Sequence, residues 1–230
     1  MKHLALTLSA LLAALAFAQN PKETLATTAD NALTNRESQQ GWKLLFNGSD
    51  LSNWTDTAGW SVKDGALHTS GRGSGLIYTV DQFQDFELKV DFKMSKGANS
   101  GVFLRLWDKP DWLNTGIEVQ ILDTADKQTM GKHDCGAIYD IQAPLANAAK
   151  PAGEWNTYHI IAKGQRIAVI LNGHMVNQID LNKWTEPGKN PDGTANKFKY
   201  AYKEMTKKGW IALQNHGNEV WFKNIKVKPL

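Results

Sequence analysis

The stretch Gly116-Ile117-Glu118-Val119-Gln120-Ile121-Leu122-Asp123 decides how this chain folds. Ile117, Val119 and Ile121 share one parity and Glu118 and Gln120 the other, the period of two of a strand with one apolar and one polar face. The same alternation recurs on either side. In Val102-Phe103-Leu104-Arg105, Phe103 and Arg105 oppose Val102 and Leu104. In Gly209-Trp210-Ile211-Ala212-Leu213-Gln214-Asn215-His216, Ile211 and Leu213 fall together, Gln214 lies opposite, and His216 continues the parity of Gln214. Working outward, runs rich in β-branched and aromatic residues predict strands at 43–46, 60–63, 66–69, 76–79, 86–94, 101–106, 116–122, 155–163, 166–171, 174–180, 209–215 and 220–228. Asp64-Gly65 and Asn172-Gly173 each separate two such runs, and both residue types tolerate the positive φ of a tight hairpin turn. Many short strands without a fixed-period repeat predict an all-β jelly-roll sandwich of two antiparallel sheets. The exception is the polar insertion 182–208, with Pro187, Pro191 and Gly193, in which Lys197 to Met205 is expected to form a short helix.

Upstream of the strands, Lys2 precedes an apolar run from Leu4 to Phe17 that closes on Ala16-Phe17-Ala18. That is the layout of a secretory signal peptide cleaved after Ala18, and the run is shorter than the roughly 20 apolar residues a membrane-spanning helix needs. Residues 1–18 therefore read as a leader and 19–40 as a polar N-terminal spacer or loosely docked arm. Residues 41–230 read as a single jelly-roll domain, exported to a periplasm or secreted, with no membrane insertion once the leader is gone. The formal charge is only +3, with basic residues spread along the chain, which argues against nucleic acid as a partner. Cys135 is the sole cysteine, so an intrachain disulfide is impossible and packing alone must hold the domain; a buried, idle thiol is its expected state. Nothing in the sequence speaks to oligomeric state.

Parity selects a sheet face that carries Arg105, Glu118, Gln120, Gln214 and, at a strand end, His216. Solvated outer faces favour Thr, Lys and Ser, whereas this set combines amides, a carboxylate and an imidazole, the makings of a polar binding site. Trp107 and Trp112 lie in the loop-like stretch beside Arg105, where an indole either stacks on a sugar or packs against the sandwich rim. His68, His159 and His174 stand in or beside strands without such a cluster and read as structural or solvated. Gly71-Arg72-Gly73-Ser74-Gly75 precedes a strand rather than opening a helix, so it reads as a flexible loop and not a phosphate cradle.

These residues sit within an ordered set of fragments that resembles the 3-keto-disaccharide hydrolase family, also described as 3-keto-glycoside lyases and 3-keto-2-hydroxy-glucal hydratases. The set runs from Gly41-Trp42-Lys43-Leu44-Leu45-Phe46-Asn47-Gly48 through Asn99-Ser100-Gly101, Glu118-Val119-Gln120-Ile121-Leu122-Asp123, His133 and Gly136-Ala137-Ile138-Tyr139. It ends at Ile211-Ala212-Leu213-Gln214-Asn215-His216-Gly217 and Phe222-Lys223-Asn224-Ile225. The resemblance implies a concanavalin A-like jelly roll. Where the family often has Asp before its last histidine, this chain has Asn215, one negative charge fewer.

The resemblance also implies a chemistry. A ketone at carbon 3 of a glucosyl unit acidifies the carbon-2 hydrogen, so a base can remove it while the aglycone leaves carbon 1; water can then add to the 2-hydroxy-glucal. Such a site needs a base, a group that holds the developing enolate and a proton donor for the leaving oxygen. Glu118, His133, His216 and Arg105 are the implied catalytic groups, with the imidazoles as acid and base and Arg105 either on the oxyanion or on a sugar hydroxyl. Gln120, Gln214, Tyr139, Trp107 and Trp112 are the implied substrate-binding groups, Tyr139 either donating a proton or covering the core edge. One divalent metal ion is a possible cofactor, with Glu118, Asp123, His133 and His216 as its ligands, although aspartate at a strand end also caps turns; no organic cofactor is implied. The expected partner is a glycoside or oligosaccharide. A lectin-like glycan-binding module shares the fold, but it has no need of a carboxylate clustered with two histidines.

Overall fold

The computed structural model describes residues 29–230; the leader and the first part of the spacer, 1–28, lie outside the described residues. In chain order the strands are β1 (Lys43–Leu44), β2 (Trp54–Thr55), β3 (Trp60–Lys63), β4 (Ala66–Thr69), β5 (Gly75–Phe83), β6 (Phe86–Met94), β7 (Asn99–Leu106), β8 (Ile117–Leu122), β9 (Asn156–Lys163), β10 (Arg166–Leu171), β11 (His174–Asp180), β12 (Gly209–Asn215) and β13 (Val220–Pro229). A short helix, α1 (Asn35–Gln39), precedes them, and another, α2 (Trp112–Thr115), lies between β7 and β8. The larger sheet runs β11-β10-β9-β6-β13-β4-β3, with β1 also on β13, and the smaller runs β2-β5-β12-β7-β8. Neighbours are antiparallel throughout, as the jelly-roll reading requires.

Alternation sorts the side chains between core and surface. On β6, Phe86, Leu88, Val90, Phe92 and Met94 are wholly buried, while Glu87, Lys89, Asp91 and Lys93 form the outer face. Val102, Leu104, Ile117, Val119, Ile121, Ile211 and Leu213 meet them from the smaller sheet. Each such side chain contributes about 1.5–3 kcal/mol by leaving water, which is how a chain without disulfides stays folded. Both hairpins form as read, with Asp64, Gly65, Asn172 and Gly173 all at positive φ. Cys135 lies in the core, its Sγ 3.3 Å from the Tyr158 hydroxyl, and burial pushes its thiol up, away from the reactive thiolate.

The described part of the N-terminal arm lies on the larger sheet. Thr34 opens α1 with a capping box to Glu37, and the Glu37 carboxylate takes hydrogen bonds from Lys226 (2.9 Å) and Lys89 (3.2 Å) of the outer face. Asn31 donates to the Gly65 carbonyl and pairs with Asn224.

The helix expected at Lys197 to Met205 is not an α-helix: only Tyr202–Glu204 turns, as a single 3-10 turn, with another at Leu181–Lys183. The reason lies in where the backbone donors go. The Lys197 N–H donates to Asp140, that of Phe198 to Asn196 and that of Lys199 to Asn114, so side-chain acceptors replace the carbonyls a helix would use.

Candidate active site

β8 forms one edge of the smaller sheet, and the segment after it folds back along that edge. Ala137 accepts from Gln120 N–H, Glu118 accepts from Tyr139 N–H, and Ile138 bridges Val119. The face that alternation turns outward is therefore covered rather than solvated: Glu118 is 6% exposed, Gln120 2% and, on β12, Gln214 6%. Between them opens a pocket of about 110 Å³ in which Glu118, Gln120, Gln214, His216, Tyr139 and Trp112 converge. Asn99, Leu113 and Lys197 complete its wall. His216 stands exposed at the rim, and Trp112 leans edge-on against Phe103 with ring centroids 5.4 Å apart. A roomier hollow of about 420 Å³ lies among residues 183–193, but its ionisable groups are exposed, and Lys189 pairs with Glu186.

Glu118 dominates the electrostatics of the pocket. Burial pushes its carboxyl up to about 8, opposed by the positive charge of Lys197, and among the described residues no side chain donates a hydrogen bond to it. The space it occupies exists because residue 101, on the neighbouring strand β7, has no side chain. Lys197 arrives from the insertion and holds its ammonium 3.9 Å above the centre of the Tyr139 ring, a cation–π contact at the pocket wall. The amides of Gln120 and Gln214 each keep a buried oxygen with no donor among the described residues, while Gln120 Nε2 donates to Asn99 at 2.8 Å. Buried acceptors without donors are costly, and beside a pocket they mark where a ligand hydroxyl would be welcome.

Four of the residues named from the sequence fall elsewhere. Arg105 does not face the pocket: on β7, Phe103 pairs with Ala212 and Leu106 with Trp210, so Leu104 and Arg105 together oppose the single residue Ile211. This β-bulge, with Arg105 at φ 53°, breaks the parity and sends the guanidinium inward to Asp85 (2.9 Å) and the carbonyls of Gln84 and Gly164. His133 stands one layer outside, its side chain 58% exposed, bonded to Asp140 Oδ1 at 3.0 Å and stacked on Tyr139 at 4.7 Å. Asp123 ties the β6–β7 turn, accepting from Gly97 N–H at 2.8 Å. Trp107 packs on Tyr200 under Lys207, away from the pocket. Asn215 faces away as well, donating to the Arg72 carbonyl and accepting from Gly217 N–H.

The proposed metal ligands consequently do not assemble. Among the described residues, no three His, Cys, Asp or Glu groups come together in a way that could hold an ion, because Asp123 and His133 are committed to other partners. Asn99, Leu113 and Lys197 were not singled out as site residues. Asn99 belongs to a fragment of the family pattern, whereas Lys197 gives no local signal, since it comes from a polar insertion whose path over the sheet no periodicity encodes.

Residues 41–228 match the model of the 3-keto-alpha-glucoside-1,2-lyase-like domain. A curated relative from Bacteroides thetaiotaomicron, named 3-keto-disaccharide hydrolase, is 26% identical over 232 residues, covering 83% of this chain and 79% of its own. A crystal structure from Parabacteroides distasonis ATCC 8503, provisionally named a glycosyl hydrolase, is 37% identical with a TM-score of 0.75, covering 82% of this chain and 99% of that one. A second structure from the same organism, named in the same way, is 27% identical with a TM-score of 0.73, covering 87% of this chain and 99% of that one.

Proposed function

The chain belongs to the 3-keto-alpha-glucoside-1,2-lyase-like family, and from that premise we propose that it cleaves 3-keto-glycosides by elimination across carbons 1 and 2, with hydration of the product completing a net hydrolysis. The observation that carries the proposal is Glu118: a buried carboxyl raised to about 8, unpaired among the described residues and facing a pocket lined by amides. A carboxylate that gives up its proton so reluctantly is a stronger base than a solvated one, and the hydrogen beside a ketone is acidic enough for such a base.

In the proposed cycle Glu118 takes the carbon-2 proton. The C–H electron pair becomes the carbon 1–carbon 2 double bond by way of an enolate on the carbon-3 oxygen. The bond from carbon 1 to the aglycone oxygen breaks, and that oxygen takes a proton from protonated His216 at the rim. Lys197 supplies the positive charge for the enolate, one of the two parts that the resemblance implies for Arg105. A small turn of the Gln120 and Gln214 amides lets their oxygens accept from sugar hydroxyls, and Trp112 offers an apolar wall to a pyranose face. Water then adds to the 2-hydroxy-3-keto-glucal, hydroxyl to carbon 1 and proton to carbon 2. A divalent ion, if the reaction uses one, has Glu118 and His216 to draw on together with substrate oxygens, and no step here depends on it. We also propose that the enzyme is exported, on the leader pattern of residues 1–18.

The test is release of a chromogenic aglycone from a 3-keto-glucoside, run with and without chelator, for the wild type and for Glu118→Gln. Release that falls by roughly 10²–10⁴ in the variant supports the proposal. Release undiminished in the variant overturns the role of Glu118, and tight glycan binding without release by the wild type turns the reading to a lectin-like module. Loss of activity with chelator, restored by added metal, assigns the ion.

A further inference from the structure

We infer that Asp140 is a positioning residue that pins the insertion across the pocket and so holds Lys197 at its working place; the inference rests on the reading of Lys197 given above. Asp140 sits beside Tyr139 at the tip of the fold-back segment, in the left-handed region at φ 61°. Its two carboxylate oxygens have separate tasks. Oδ1 receives His133 Nε2 at 3.0 Å, and Oδ2 receives the backbone N–H of Lys197 at 3.0 Å. Each carboxylate oxygen thus has its own partner, and the second bond fixes the residue whose ammonium lies over Tyr139. Two residues further on, the Lys199 N–H donates to Asn114 Oδ1 at 3.2 Å, and the Lys199 ammonium pairs with Asp111. Residues 197–199 thus form a strap tied to the fold-back segment at one end and to the α2 loop at the other.

The strap has an anchor independent of these ties. Phe198 and Tyr202 are 3% and 1% exposed and stack at 5.1 Å within the core, so loss of the Asp140 bond frees Lys197 without releasing the insertion. That separation makes the inference testable. The place given to His133 follows as well: although outside the pocket, it holds the carboxylate that holds the strap.

The substitution Asp140→Gly removes both acceptors and tolerates the positive φ, so backbone strain does not confuse the result. Hydrogen exchange of the backbone, which needs no substrate, is expected to quicken at least ~10-fold at Lys197 in Asp140→Gly, with the β7, β8 and β12 amides unchanged. Unchanged exchange at Lys197 overturns the inference whatever the enzyme's substrate. On a 3-keto-glucoside, Asp140→Gly is expected to lower kcat at least ~10-fold, and the double variant with Lys197→Ala to be no slower than Lys197→Ala alone. Additive losses overturn the inference, because a merely structural role for Asp140 would not depend on the side chain of Lys197. Quickened exchange together with no turnover by the wild type supports the pin and sinks the assigned reaction instead.

Discussion

Gly101 lies against the Glu118 carboxyl: a Cβ at position 101 would stand 3.0 Å from both Cγ and Cδ of Glu118. The two residues sit on neighbouring strands with Gly101 directly opposite Gln120, so the missing side chain is what leaves room for a buried acid. Gly101→Ala is therefore expected to push the carboxylate aside. A displacement near 1 Å costs on the order of 10²-fold in rate. Because the atom struck is the end of a flexible side chain, the melting temperature should move little, and kcat/KM measured beside a thermal melt separates the two effects.

Glu118 itself links activity to stability with opposite signs. Its folded-state value, about 8, lies above the ordinary 4.5, so the folded protein binds the proton more tightly than the unfolded chain and loses stability as pH rises between those values. At pH 7 the penalty is on the order of 3 kcal/mol. Glu118→Gln should raise the unfolding free energy at pH 7 by an amount of that order, with the gain fading below pH 4.5, even as it slows turnover. Urea titrations at pH 4 and pH 7 check this.

The same group sets the pH profile. A base must be ionised, so kcat/KM for a 3-keto-glucoside whose nitrophenol aglycone leaves without a proton from His216 should rise with pH along a limb centred near 8, far above that of a solvated glutamate. A limb near 4.5 would mean that another group takes the proton.

Glu37 works in the reverse direction. Burial pushes its carboxyl up, but the Thr34 N–H and the ammonium groups of Lys226 and Lys89 outweigh burial and hold it down at about 2. Its contribution is then complete above pH 4.5 and lost as pH falls towards 2. Glu37→Gln should destabilise the domain by about 1 kcal/mol at pH 7 and free the described arm, with the difference from wild type closing in acid. Denaturation across that range and proteolysis of residues 29–40 are the measurements.

Arg105 should matter to folding and not to chemistry. Asp85→Asn removes the only carboxylate that, among the described residues, bonds the wholly buried guanidinium, and because that carboxylate is itself partly exposed the cost should be about 1–3 kcal/mol. Activity per folded molecule should persist. A proportional loss of kcat at full folding would return Arg105 to the active site.

Much of this was legible in the chain. The strands 60–63, 66–69, 86–94, 166–171, 174–180 and 209–215 have the bounds alternation gives them, and the two residues of β2 escaped because so short a pairing leaves no period. Glu118, Gln120 and Gln214 share a face because period-two geometry is local and unbroken on β8 and β12. Arg105 followed the same rule and failed it at a bulge, where one extra residue reverses every parity beyond it, and nothing in Leu104-Arg105-Leu106 announces the insertion. Whether a loop aspartate ties a turn, as Asp123 does, or holds a strap, as Asp140 does, is likewise invisible from spacing.

The sequence alone determined the all-β sandwich, its hairpins and the polar stripe on one sheet, because those follow from the backbone's own period and the φ preferences of a few turn residues. Only the tertiary structure decided that the stripe is roofed, that Lys197 and not Arg105 lends the pocket its positive charge, and that Asp123 and His133 stand apart from it. Each of these depends on where distant loops come to rest, and it is their burial of Glu118, rather than the presence of a glutamate, that makes the carboxyl basic.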